Sequence, residues 1–372
     1  MTRVVAAFDA FKGSLTAAAA CEAAAAGVRA VAPDAGLVLV PMADGGEGSL
    51  DAVLARGGEE VVTDTVDAIG RPARARWAID GSSAVIELAQ AAGLPQVDDA
   101  PRQPLGASTA GLGPLVLEAL DRGATGVTLL LGGSATTDGG AGLLVALGAR
   151  LTDASGRPVP AGGAGLASLE HLDVTAVDPR ALAAAWRFVT DVDAPLTGPR
   201  GAAAVFGPQK GATAGDVAVL DAALGRFAAV AAETLGVDPG SIADVPGSGA
   251  AGGVASVLRA LTGGEIVAGG DWFAELAGLD AAVAGADLVL TGEGRFDRQS
   301  AGGKVVSVVH SAALGHGVPL VVIAGSVDPG AAAEMRVPAF SIATGPASLA
   351  ELQRDASGLL AAAAASVVRL VR

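Results

Sequence analysis

Val4-Val5-Ala6-Ala7-Phe8 runs directly into Asp9-Ala10-Phe11-Lys12-Gly13. A short apolar run that empties into a polar, glycine-bearing loop reads as a buried strand ending at a ligand-facing edge. Ser14 or Thr16 then caps an Ala-rich helix that extends to about Val31. The same grammar recurs. Leu37-Val38-Leu39-Val40 leads into Asp44-Gly45-Gly46-Glu47-Gly48, with Ser49 opening a helix to about Ala55. Near the other terminus, Asp287-Leu288-Val289-Leu290 leads into Thr291-Gly292-Glu293-Gly294-Arg295-Phe296-Asp297, followed by a helix over Val305 to Leu314. Pro319 to Ala324 is a further buried strand. Strands alternating with helices predict an α/β fold with a mostly parallel sheet covered on both faces. The polar loops come from both chain ends, so one domain is expected to be discontinuous.

The middle of the chain reads differently. Arg71-Pro72 marks a domain boundary in this reading. Arg76 to Ile79 and Ala84 to Glu87 flank Asp80-Gly81-Ser82-Ser83, a hairpin signal. A helix over Pro114 to Arg122 precedes the strand Val127 to Leu131, which feeds a loop of glycines and hydroxyls, Gly132 to Gly142. Phe188 to Asp193 reads as a strand ending on two acids, and Ala361 to Arg372 as a closing helix.

With 372 residues, 51% of them apolar, the chain has material for two domains with sizeable cores. Its net charge of −15 excludes a nucleic-acid binder, which needs a basic face. No apolar run reaches the roughly 20 residues of a membrane span, and no secretory leader is read at the N-terminus. The single cysteine, Cys21, cannot form an internal disulfide and is expected in the core. A cytoplasmic setting follows. His171, His310 and His316 make no metal-binding pattern.

Of 24 basic residues only three are lysine: Lys12, Lys210 and Lys304, each beside a glycine. Asn and Tyr are absent, a bias that GC-rich coding or selection for thermostability would produce. A compact ammonium beside a chain that permits close approach marks Lys12 and Lys210 as candidate anion ligands, with Lys304 a weaker third. There is no G-x-x-x-x-G-K-[ST], which removes the Walker-type ATPases. Gly247-Ser248-Gly249-Ala250-Ala251-Gly252 fits G-x-G-x-x-G, but Asp244-Val245-Pro246 precedes it where a dinucleotide fold needs a strand. In the Gly132–Gly142 loop, Ser134, Thr136, Thr137 and Asp138 exceed what one helix cap requires, so amides and hydroxyls there could cradle an anion. Asp191 and Asp193, two apart on a strand, would point the same way and repel unless a cation compensates. Mg²⁺ is one answer; the other is that one of them accepts a substrate proton.

Five blocks together resemble the glycerate kinase family that lacks a P-loop. They are Asp9 to Leu15, Ala43 to Gly48, Gly132 to Gly142, Val205 to Ala212 and Leu290 to Asp297, in the family's order and spanning nearly the whole chain. The resemblance implies two α/β domains. One is a Rossmann/flavodoxin-like parallel sheet built from residues 1–70 plus 286–372; the other is an α/β domain inserted as residues 71–285. It also implies ATP-dependent phosphorylation of D-glycerate with Mg²⁺, leaning towards the 2-phospho product, with the reaction in the cleft between the domains. A homodimer is compatible with it, while nucleic acid and membrane are not partners. Catalytic candidates are Asp191 as the base, with Lys12 and Asp9. Substrate or phosphate candidates are Ser14, Asp44, Gly45, Gly46, Glu47, Gly133, Ser134, Thr136, Thr137, Asp138, Lys210, Arg295 and Lys304. Asp193, Glu293 and Asp297 are the candidates for Mg²⁺ or its waters. Two positions depart from the family: Thr137 stands where Asn is usual and keeps a hydroxyl, whereas Ala194 loses the polar group of a nearby Asn. The competing readings are a kinase of another small hydroxy acid and a non-catalytic sugar-acid sensor.

Overall fold

The computed structural model describes residues 2–43, 45–46, 48–298 and 304–371. It divides into two compact units, Met1–Asp44 with Ala268–Arg372, and Gly45–Val267.

The first unit holds a five-stranded parallel sheet. Its order is Ala339–Ser341, Leu320–Ala324, Leu288–Gly292, Arg3–Phe8, Gly36–Leu39. Numbered along the chain this is 2-1-3-4-5, the flavodoxin order, whose switch point falls between Arg3–Phe8 and Leu288–Gly292. The reason lies in the runs themselves. Leu288–Gly292 and Leu320–Ala324 are buried along their full length, as a strand covered on both faces must be. Thr16 caps the first helix, Ala17–Val31, by accepting from the Ala19 amide at 3.2 Å. That helix and the C-terminal helix Ala356–Val371 cover one sheet face, with Ala20, Ala24, Val28, Leu360 and Ala364 in the shared core. Cys21 is in that core too: its thiol donates to the Ala6 carbonyl at 3.3 Å, and burial pushes its pKa up to about 12.

The second unit is built on a six-stranded mixed sheet ordered Glu265–Val267, Ala185–Val189, Gly126–Leu130, Ser83–Glu87, Pro72–Asp80, Glu59–Val66. The first four strands are parallel and the last two antiparallel. The hairpin at Asp80–Ser83 forms as its sequence implies, with Gly81 at φ 60°. Arg71-Pro72 lies within a second hairpin. Eight residues of Glu59–Val66 pair with Pro72–Asp80, and the turn is closed by Asp67, whose carboxylate accepts from the Ile69 and Arg71 amides at 3.0 and 2.9 Å. Proline is tolerated there because it opens its strand. The segment before Arg71 therefore belongs with the strand after it, and the chain changes unit at 44/45 and 267/268. Trp77, Leu112, Leu115, Leu129, Phe188 and Phe227 fill the core.

Phe188–Asp193 differs from its reading as one strand, which ends at Val189. Both its neighbours stop there, Gly126–Leu130 turning into the Gly132 loop and Glu265–Val267 ending opposite Val189, which leaves nothing to continue the ladder. Asp191 and Asp193 are thus loop residues, and strand alternation does not align them. Among the described residues, no helix is long and apolar enough to cross a membrane.

Gly27 sits where the helices Ala17–Val31 and Ala356–Val371 meet. A Cβ there would lie 2.0 Å from the Ala361 carbonyl oxygen. Gly-to-Ala inside a helix ordinarily stabilises by about 0.5–1 kcal/mol. Here the clash with backbone reverses the sign, so Gly27→Ala is expected to cost about 1–3 kcal/mol in urea unfolding. An unchanged or raised midpoint would show that the helices do not meet this closely.

Candidate active site

In the first unit the carboxyl ends of the switch-point strands carry Asp9–Ser14 and Glu293–Asp297. The Asp9 amide donates to the Gly292 carbonyl at 3.0 Å, and its carboxylate accepts from the Ala10 amide at 2.7 Å. Ser14 spends its hydroxyl on the turn, donating to the Phe11 carbonyl at 2.9 Å. Gly13, at φ 79°, supplies the left-handed residue of that turn. This leaves the Lys12 side chain exposed. The second loop is pressed against the first. A Cβ on Gly292 would lie 1.8 Å from the Ile323 carbonyl oxygen, and one on Gly294 would lie 3.2 Å from the Lys12 amide nitrogen. Arg295 pairs with Asp297 at 3.2 Å. Both border a cavity of about 320 Å³ that Ser326 and Asp328 also line. Glu293 is half-buried, and Lys304 is half-buried at the start of the helix Val305–Gly315.

In the second unit the corresponding edge is crowded with glycine. The Gly132 amide donates to the Gly45 carbonyl at 3.2 Å, and a Cβ on Gly132 would lie 2.5 Å from the Gly46 Cα. Gly45 also abuts Val189 at the strand end that precedes Asp191. Asp191 is half-buried and Asp193 exposed. Asp44 and Glu47 lie outside the described residues.

Beyond Gly133, which is exposed, the Gly132–Gly142 loop turns inward: Ser134, Thr136, Thr137 and Asp138 are all buried. The Ser134 hydroxyl accepts from the Thr136 amide at 3.1 Å and meets the Thr136 hydroxyl at 3.1 Å. Asp138 receives the Thr109 amide at 2.8 Å, the Thr109 hydroxyl at 2.9 Å, and the Gly140 and Gly142 amides at 3.2 Å each. Burial pushes its carboxyl pKa up, against these four donors. Lys210, on the turn Pro208–Lys210, is 3% exposed and donates from Nζ to the Thr136 carbonyl at 2.5 Å. Burial pushes its pKa down to about 7, and the charge of Asp138 opposes that shift. The Gly247–Gly252 segment, which no strand precedes, folds onto the same loop. Gly252 accepts from the Gly139 amide at 2.9 Å, and a Cβ on it would lie 2.1 Å from the Thr136 carbonyl oxygen. Its neighbour Ala251 is held at φ 52°, a left-handed conformation rare for a residue with a Cβ.

Three residues beside these loops are not among the site candidates drawn from the sequence. Thr109 and Ala251 act through contacts far along the chain, which no local pattern announces. Glu87 is different: it is 3% exposed at the carboxyl end of Ser83–Glu87, and an acid closing an apolar run was a legible signal.

Metal and nucleotide fit can be judged from the donors present. Among the described residues no three His, Cys, Asp or Glu side chains converge as a metal cage. A magnesium ion carried by phosphates needs only one or two protein carboxylates, and both edges supply these. At both edges glycine lets backbone press on backbone: a Cβ on Gly294 would meet the Lys12 amide nitrogen, and one on Gly132 the Gly46 Cα.

Comparison with known proteins gives a consistent picture. The model of the glycerate kinase family matches residues 4–372. A glycerate kinase of Halalkalibacterium halodurans is 40% identical over 373 residues, covering 99% of this chain and 97% of that protein. A glycerate 2-kinase of Escherichia coli K12 is 41% identical over 360 residues, covering 95% and 94%. A crystal structure assigned to glycerate kinase 2 of Salmonella typhimurium LT2 superposes with a TM-score of 0.88 at 39% identity, covering 100% of this chain and 98% of that one.

The buried lysine sets a pH test. Below pH about 7 Lys210 is charged in both states, and the full cost of burying its ammonium is present. Between about 7 and its unfolded value of 10.5 the unfolded chain holds the extra proton, so this group makes stability rise with pH. The slope is at most about 1.4 kcal/mol per pH unit. Urea unfolding at pH 7 and pH 9 is expected to show this rise in the wild type relative to Lys210→Met; parallel behaviour would place the ammonium in solvent.

Proposed function

The chain belongs to the glycerate kinase family, and from that footing we propose that it transfers the γ-phosphoryl group of ATP to the 2-hydroxyl of D-glycerate, giving 2-phosphoglycerate and ADP. Full-length similarity to kinases named for glycerate, one of them a glycerate 2-kinase, carries the reading. The edge loops support it, because they offer what phosphoryl transfer needs: fixed position and neutralised charge rather than covalent chemistry.

In this proposal Lys12, whose backbone amide lies against Gly294 and whose side chain is exposed, meets an anionic group of ATP or glycerate. Asp191 accepts the proton of the attacking hydroxyl as its oxygen bonds to phosphorus and the bond to the β-phosphate oxygen breaks. Such a base is worth roughly 10²–10⁴-fold. Glu293, Asp297 and Asp193 are the candidate carboxylates for Mg²⁺ or its waters, and Asp9 stays a catalytic candidate. The bound cation would neutralise phosphate charge. Arg295 and Lys304 add positive charge at the same sheet edge as Lys12, and Gly45, Gly46 and Gly133 offer backbone to a ligand. A cytoplasmic setting supplies the nucleotide.

Coupling ADP release to pyruvate kinase and lactate dehydrogenase is expected to report turnover with D-glycerate well above that with tartronate or lactate. Absence of glycerate-dependent ADP at every magnesium level would defeat the kinase reading. Coupling the product directly to enolase, without a mutase, is expected to give signal, since enolase takes the 2-phospho isomer alone; silence there would indicate 3-phosphoglycerate.

Asp191→Asn is expected to lower kcat by 10²–10⁴-fold while changing KM little. Near-full turnover in that variant would remove Asp191 from the base role.

A further inference from the structure

We propose that Lys210 and Asp138 are positioning residues of the kinase, which hold the Gly132–Gly142 loop from beneath and touch neither phosphate nor glycerate. The inference rests on the kinase reading above and assigns these two residues a different task from ligand binding.

The geometry runs in one direction. Lys210 donates to the Thr136 carbonyl. Thr136 is in turn the residue around which Ser134 folds, through the Thr136 amide and hydroxyl. Ser134 follows Gly132 and Gly133, the part of the loop that reaches the surface and is seated on Gly45 and Gly46. From the other side, Asp138 gathers the Thr109 amide and hydroxyl with the amides of Gly140 and Gly142. Thr109 then takes the Leu143 amide at 3.0 Å, which ties the start of the following helix into the same set. Both charged side chains are buried, 3% exposed for Lys210 and 0% for Asp138. A ligand-binding cation should reach the surface, and this one ends on a carbonyl. A buried charge is tolerated when another compensates it, and deleting one partner leaves the other uncompensated.

Burial also accounts for a feature of the composition. Arginine supplies 21 of the 24 basic residues, yet this position is lysine. A guanidinium is a planar fork with five donors, which one buried carbonyl cannot satisfy; an ammonium is compact.

Two measurements decide the matter. Reductive methylation of the native wild-type enzyme, read by mass spectrometry at its three lysines, is expected to modify Lys12 and to spare Lys210 with or without MgATP. Lys210 should react only after unfolding. Modification of Lys210 at the rate of Lys12, with protection by MgATP, would overturn the proposal. This result stands whatever the substrate proves to be, so it separates failure of the proposal from failure of the glycerate reading, which the wild-type rate tests. The second measurement is kinetic, at a temperature where each variant remains folded by circular dichroism. Lys210→Met is expected to lower kcat/KM for D-glycerate at least tenfold, independently of ionic strength. The double variant with Asp138→Asn is expected to recover most of that loss, because Asn can keep its oxygen where three of the four donors converge. A loss confined to the KM for ATP, shrinking as salt rises and unrelieved by Asp138→Asn, would make Lys210 a phosphate ligand instead. If Lys210→Met does not fold, the labelling result decides alone.

Discussion

Parallel pairing of Val4 with Leu288, carried through to Phe8 with Gly292, is the contact on which the first unit depends. It joins the two ends of the chain in one sheet and makes the polypeptide between them an insertion. It also creates the switch point, where the loops leaving two neighbouring strands diverge to opposite faces and leave a crevice. Asp9–Ser14 and Glu293–Asp297 are neighbours for that reason alone. Once they are neighbours, Gly294 is crowded by the Lys12 backbone, and on the far side of the same strand Gly292 is crowded by the Ile323 carbonyl of Leu320–Ala324.

The second unit meets the same demand with different means. Its four parallel strands also deliver loops to one edge, but there the loops are stacked on each other before they face outward. Gly45–Gly46, Gly132–Asp138 and Gly249–Gly253 lie backbone against backbone. Such stacking leaves polar groups without water, and the Ser134 and Thr136 hydroxyls, Asp138 and Lys210 are spent on them, while the buried Thr137 hydroxyl has no partner among the described residues. Only Gly132 and Gly133 remain accessible in that stretch.

Much of this architecture was legible. Val4–Phe8, Leu288–Leu290 and Leu320–Ala324 announced buried parallel strands because an apolar run of that length between glycines has few other uses. Thr16 announced a helix start, and Asp80–Ser83 a hairpin. What escaped reading was long-range. Arg71-Pro72 reads as punctuation in isolation; only the eight-residue register of Glu59–Val66 with its neighbour turns it into the end of a hairpin. Asp191 and Asp193 read as strand residues until the neighbouring strand stops at Leu130. Lys210 is conspicuous as a rare lysine beside glycine, but rarity does not tell an exposed side chain from a buried one. That distinction depends on Thr136, far away in sequence.

The nesting of one unit inside the other bears on how the chain is made. A ribosome releases Arg3–Phe8 well before Leu288–Gly292, yet that strand is an inner one of its sheet, paired on one side with Gly36–Leu39 and on the other with Leu288–Gly292. Gly45–Val267 emerges whole in the interval and carries its own core, so it can fold while the opening strand still waits. During that wait one side of an apolar strand has unpaired amides and carbonyls, the kind of edge that recruits another chain. Synthesis of this protein is therefore a race between elongation past residue 288 and misdirected pairing, in which a slow stretch of translation within the inserted unit favours the wrong partner.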